Sequence, residues 1–157
     1  MIITYIKTNE GWAYLTVFID LFSRIVAGWA VSSRCDTEMV LTALRRAIRN
    51  RNLQPGVMIH SDRGTQYSSE AFRAELEKHG FIQSMSRKGN CWDNAVAESF
   101  FRIYKTELVY HEAFTDRQHV LSSTFEYIEH YYNRKRRHSA TGYLSPVDFE
   151  NHFKKAA

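Results

Sequence analysis

A chain of 157 residues has room for one compact domain with its own core and little more. Apolar residues make up 44% of it and are interspersed with charges along the whole length, which excludes a disordered chain. A net charge of +4 suits a partner built of phosphate, although many ordinary soluble domains are as basic.

The two cysteines, Cys35 and Cys91, form no CxxC pair and have no His at ligand spacing. A disulfide framework and a zinc site are therefore disfavoured, and a reduced, cytoplasmic setting is expected. The opening residues 2–6 are too short for the apolar region of a signal peptide, and no run reaches the length of a membrane span. No membrane partner is expected.

Residues 2–6 and 12–19 are β-branched and aromatic runs separated by the polar turn Lys7-Thr8-Asn9-Glu10-Gly11, a hairpin pattern. Ser23-Arg24 interrupt the apolar run, and residues 25–31 read as a third strand of an antiparallel meander. Asp36 is placed to cap a helix over 37–51, with Val40, Leu41, Leu44 and Ile48 as its apolar stripe. Pro55-Gly56 is a turn and residues 57–61 a short buried strand. Residues 69–79 read as a helix stopped by Gly80, and 81–84 as a fifth strand. Residues 86–90 form a basic loop, after which Asp93 or Asn94 caps a helix running to about Val109. Thr115-Asp116-Arg117-Gln118 has the spacing of a capping box, and Leu121, Phe125, Ile128 and Tyr132 mark the buried face of the next helix. Three antiparallel strands, a helix, then strand–helix–strand–helix gives an α/β architecture with a mixed sheet.

Asp62 follows directly on the fourth strand, where ligands bind in open α/β sheets. Glu98 lies one turn into the helix that begins near Asp93, with thirty-five residues between the two. Two such carboxylates can offer hard oxygen ligands to a divalent cation beside a phosphate. Spacing alone favours a plainer account, a turn-capping Asp and a solvated helix Glu, because acidic pairs are common. Arg102 and Lys105 share the helix face of Glu98 and could hold DNA phosphates, or form a surface salt-bridge ladder. Arg87 and Lys88 make the preceding loop basic. Arg134, Lys135, Arg136 and Arg137 follow the pair Tyr131-Tyr132 as a dense cluster, either a phosphate contact or a solvated helix end.

Further stretches are more specific: Ile3-Thr4-Tyr5-Ile6, Ile19-Asp20-Leu21-Phe22-Ser23-Arg24, Val26-Ala27-Gly28-Trp29 and His60-Ser61-Asp62-Arg63-Gly64-Thr65-Gln66-Tyr67. They continue with Ser84-Met85-Ser86-Arg87-Lys88-Gly89-Asn90, Trp92-Asp93-Asn94-Ala95, Glu98-Ser99-Phe100 and Lys105. Tyr132-Asn133, Arg137-His138-Ser139, Gly142-Tyr143, Ser145-Pro146 and Phe149-Glu150 complete them. In this order, across essentially the whole chain, the motifs resemble the catalytic subunit of bacterial insertion-sequence transposases, whose second reading frame encodes a retroviral-integrase-like core.

The resemblance implies a ribonuclease H-like fold, with a mixed five-stranded sheet flanked by helices. The expected division is one catalytic core over residues 1–157, with the ribonuclease H-like part at about 1–110 and a C-terminal helix and basic tail at about 115–157. It also implies an Asp-Asp-Glu triad binding two Mg²⁺ or Mn²⁺ ions, and metal-dependent phosphodiester cleavage and strand transfer. Asp62 and Glu98 match the second Asp and the Glu, as catalytic and metal-binding residues, and Lys105 matches the Lys seven positions beyond. The implied partners are DNA (transposon ends and target), further copies of the chain and the first-reading-frame subunit, in the bacterial cytoplasm at the nucleoid.

The place of the first Asp, before the Ile-Thr-Tyr-Ile run, is held by Ile2. The helical DNA-recognition region that precedes the core in the family is also missing, which is the expectation for a truncated product or a late start. Asp20 is no substitute: with the hairpin centred near Asn9, residue 2 faces about residue 16, leaving Asp20 roughly 13 Å further along. Asp20 is expected at the corner between strands two and three. The chain is thus expected to be a family enzyme inactive in this form, or a non-catalytic remnant that binds DNA or joins full-length subunits.

Overall fold

The computed structural model describes residues 2–85 and 95–156. β1 (Ile2–Thr8) and β2 (Gly11–Ile19) form the hairpin around Asn9-Glu10, helped by the positive φ of Gly11 (127°). Its register sets Ile2 opposite Val17, one residue from expectation. β3 (Val26–Ser32) pairs antiparallel with β2, and a register shift sets Phe18 against Gly28 but Ile19 against Val26. This bulge at Ala27 turns Val26 and Trp29 toward the same core.

The outer edge of β3 is closed by side chains. Asn133 Oδ1 accepts from the Val26 N–H at 2.9 Å while its Nδ2 donates to the Val26 carbonyl at 3.1 Å. Asn50 donates to the Ala27 carbonyl (3.1 Å) and Arg46 to that of Trp29 (2.9 Å). An edge that would otherwise offer free backbone groups is thereby blunted.

α1 (Thr37–Arg51) begins where expected, with Asp36 Oδ1 accepting from the Met39 N–H at 3.0 Å. After β4 (Met58–Ser61) come a single turn, α2 (Thr65–Ser68), and α3 (Glu70–Lys78), whose N-cap is Ser69. Gly80 (φ 66°) ends α3: its N–H donates to the Glu77 carbonyl and that of Phe81 to Leu76. β5 (Ile82–Met85) lies parallel to β4. The strand senses are mixed, as expected. Backbone hydrogen bonds group the described strands as an antiparallel three and a parallel pair. β4 has only four residues, and it meets the larger group through side chains, with Ile3 packed against the core that contains Ile59.

α4 (Ala95–Glu107) follows, its N-cap outside the described residues, then α5 (Arg117–Phe125), a π-helical segment (Glu126–Tyr132) and α6 (Pro146–Ala156). The sheet separates two cores. On one side Val40, Leu44 and Ala47 of α1 meet Phe72 and Leu76 of α3; on the other Phe100 and Tyr104 of α4 meet Val120, Ile128 and Tyr132. β2 serves both sides, which is why it reads as a continuous apolar run.

Two expectations need correction. The cap of α5 is Asp116, which accepts from the His119 N–H at 2.8 Å, while the Thr115 hydroxyl donates to Asp116; the charged acceptor takes the cap. The buried face runs through Val120, Thr124, Ile128 and Tyr132, and Phe125 is 46% exposed. A strict spacing of four outruns an α-helix, and the π segment, with its longer turn, keeps Ile128 and Tyr132 in line.

Gly28 sets how closely α1 approaches the sheet. A Cβ there would stand 2.3 Å from the Ala43 carbonyl oxygen and 2.5 Å from the Ala47 nitrogen, both backbone atoms of α1. Gly28→Ala is therefore expected to destabilise the fold by about 2–3 kcal/mol or more. Urea unfolding measures it; an unchanged midpoint would show that the helix does not sit this close.

Candidate active site

Asp62 sits one residue beyond β4, where its carboxylate folds back on its own loop: Oδ1 accepts from the Gly64 N–H at 2.9 Å. Gly64 allows this, because a Cβ would lie 3.0 Å from both Asp62 Oδ1 and Gln66 Oε1. The loop is braced by Gln66, which donates to the Cys35 carbonyl at 3.1 Å, and by Gln83, which donates to the Tyr67 carbonyl at 2.7 Å. Burial pushes the Cys35 thiol pKa up, and the charges of Asp36 and Asp62 push it further. Cys35 therefore stays a protonated neighbour of Asp62.

Glu98 lies in the first turn of α4, exposed, while Ala97, Phe100, Phe101 and Tyr104 bury the opposite face. Two turns on, about 10 Å along the axis, Lys105 Nζ stands 5.3 Å from the centre of the Tyr5 ring. Arg102 is exposed on the same face. Ile2 packs against the core that holds Phe100, Phe101 and Tyr104, so position 2 and the helix bearing Glu98 lie on one side of the sheet. Among the described residues no group of three His, Cys, Asp or Glu side chains is placed to hold a metal ion. Arg87 and Lys88 lie outside the described residues.

Asp20 is structural, as the hairpin geometry implied. Its Oδ1 accepts from the N–H groups of Phe22 (2.8 Å) and Ser23 (3.0 Å), and its Oδ2 from Arg51 at 3.3 Å. Arg51 also binds Glu150 of α6, tying the sheet corner to the end of the chain.

The basic tail divides. Arg134, Lys135 and Arg137 are exposed. Arg136 instead holds Glu107 at the end of α4, Nε to Oε1 at 2.9 Å and to Oε2 at 3.0 Å, while the Tyr127 hydroxyl donates to Oε2 at 2.7 Å. Arg136 and Tyr127 hold the Glu107 carboxyl below its usual range against the opposing effect of burial. A residue spacing cannot reveal this pair, whose members are twenty-nine apart.

The chain belongs to the integrase core domain family, which matches it over residues 2–91 and again over 79–146. It is 48% identical to the transposase InsF of insertion sequence IS3A from Escherichia coli (strain K12), over 95% of this chain and 52% of that protein. It is 45% identical to the transposase of insertion sequence element IS904 from Lactococcus lactis subsp. lactis (strain IL1403), over 95% of this chain and 59% of that one. The chain thus spans a little over half the length of these curated relatives. The fold matches the HTLV-2 integrase catalytic core domain in complex with magnesium, with a TM-score of 0.69 at 14% identity, covering 94% of this chain and 90% of that one. The fold is ribonuclease H-like, and the resemblance to bacterial insertion-sequence transposases extends over nearly all of the chain. No described helix is long and apolar enough to cross a membrane.

His138 is buried in the tail, its ring 4.7 Å from that of Tyr132, and its Nδ1 accepts from Arg136 Nη1 at 3.3 Å. Burial, and then the Arg136 charge, pull its pKa down from 6.5 to about 4. The folded chain therefore resists a proton that the unfolded chain accepts, so stability present above pH 6.5 is lost as pH falls toward 4. His138→Gln should flatten thermal stability across this window; equal acid sensitivity in both proteins would contradict the assignment.

Proposed function

We propose that the chain is the polynucleotidyl-transfer core of an insertion-sequence transposase and that, with isoleucine at position 2, it lacks one ligand needed for strand transfer. The observation that carries this reading is the standing of Asp62 beyond β4 and Glu98 on the first turn of α4 in a chain of the integrase core family. Two carboxylates fit one hard cation of the Mg²⁺ or Mn²⁺ type, and the magnesium in the HTLV-2 core supports that choice. Bound there, such an ion would supply Lewis-acid activation of an attacking water or 3′-hydroxyl oxygen. The chain's own contribution is to orient Asp62 through Gly64, to keep Glu98 on the solvent face of α4, and to offer Lys105 to a phosphate.

A pair of ions needs a further oxygen, and the resemblance assigns it to position 2. Ile2→Asp, made with a few upstream residues to hold the first strand, should raise Mn²⁺-dependent joining of terminal-repeat DNA at least about a hundredfold. Strong joining by the unaltered chain, abolished by Asp62→Ala, would show that position 2 is not a ligand. The apolar side chain at position 2 also favours a second reading, a non-catalytic chain that binds DNA or joins full-length subunits. Wild-type DNA binding without joining, unaltered by Ile2→Asp, would select it. The same reading places the chain in the bacterial cytoplasm at the nucleoid, with further copies and the first-reading-frame subunit as partners.

DNA contact is assigned to Lys105, Arg102, Arg134, Lys135 and Arg137, with Arg87 and Lys88 added from sequence. Replacing Arg134, Lys135 and Arg137 by Ala should weaken binding uniformly across sequences and lower the salt slope by about one for each lost phosphate contact. Arg136 is left in place so that Glu107 keeps its partner. An unchanged slope would remove the tail from the DNA surface.

A further inference from the structure

We infer that the outer face of the β1–β2 hairpin is a stacking platform for an unpaired nucleotide, with Tyr5 and Trp12 receiving the base and Lys7 and Lys105 its phosphates. The inference rests on the reading of the chain as a DNA-handling core.

Strand alternation creates the face. The register sets Tyr5 opposite Tyr14 and Lys7 opposite Trp12, so these four side chains project to one side of the hairpin. Tyr5 is 60% exposed and Trp12 51%, with ring centres 5.3 Å apart and planes at 85°. Two large aromatic rings held edge to face and left open to solvent present apolar, planar surface that the fold does not use.

Cations frame these rings. Lys105 reaches from α4 to the Tyr5 ring, and Lys7 stands directly across from Trp12. Together with the exposed Tyr110, Tyr5, Lys7 and Lys105 line a cleft of about 420 Å³. The cleft lining carries two ammonium groups, Lys7 and Lys105, against the one carboxylate of Glu112, so its net charge is positive. Aromatic faces beside ammonium groups suit a nucleotide, flat and apolar at the base and anionic at the phosphate. A duplex keeps its bases stacked on each other, so the platform selects an unpaired end. Lys105 lies two helical turns from Glu98, which sets the platform within a few nucleotides of that carboxylate.

The test uses the full chain, a short oligothymidylate and a blunt duplex, with binding followed by anisotropy and by tryptophan fluorescence. Trp12→Leu and Tyr5→Leu should each weaken oligothymidylate binding about tenfold and leave the duplex within about twofold. Trp12→Phe keeps a ring, so it should retain affinity while losing most of the quenching that the oligonucleotide causes. Unchanged oligothymidylate affinity in both leucine variants, or full quenching in Trp12→Phe, overturns the platform while leaving the DNA reading intact. Equal losses on single strand and duplex overturn it too, because they mark a general phosphate surface. Failure of the wild-type chain to bind either DNA overturns both readings.

Discussion

The two hydrogen bonds between the Asn133 amide and the backbone of Val26 join positions 107 residues apart, and much of the architecture hangs on them. The bulge at Ala27 leaves the Val26 N–H and carbonyl turned away from β2, inside a core where water cannot serve them. One primary amide supplies both a donor and an acceptor in the fork they require. Removing it would strand two buried backbone groups, each costing about 1–3 kcal/mol. The same residue's carbonyl accepts from the Val147 N–H at 3.0 Å, so α6 starts from the clasp that closes the sheet. The tail from Tyr132 onward is thus part of the core's construction.

That construction decides which cations are available at the surface. Arg136 leaves the basic run to fix the last turn of α4, and three residues earlier on the same helix the Tyr104 hydroxyl meets that of Thr124 at 2.7 Å. With one face packed aromatic against aromatic and its end held by a bidentate ion pair, α4 cannot roll. The presentation of Glu98 and Lys105 on the opposite face follows. Positioning at the site therefore depends on residues that never approach it.

Sequence pattern carried the hairpin, α1 with its Asp36 cap, the Gly80 stop and the alternation of strands, because each is a local matter of propensity and capping. It failed where a local rule met a longer-range demand. Thr115 fits a capping box, but Asp116, one residue on, does the capping; Phe125 fits a helical stripe, but a π segment shifts the phase beneath it. Asp62 and Glu98 were not legible from spacing, since acidic pairs at that distance are common; only the ordered motifs around them singled them out. The Arg136–Glu107 pair and the Asn133 clasp could not be read at all, because they exist only once distant segments meet.

The same contrast bears on position 2. A carboxylate on that strand position would stand beside the core of Phe100, Phe101 and Tyr104, where burial disfavours charge unless a cation compensates it. Isoleucine there removes that cost and adds apolar burial along a half-buried strand. Isoleucine where the resemblance implies Asp would therefore favour the fold while withdrawing an oxygen from the proposed site, the usual opposition between stability and catalytic groups. It follows that folding and chemistry are separable at position 2, and that the roles toward DNA proposed for the hairpin's open aromatic face and the exposed cations of the tail do not depend on an oxygen there.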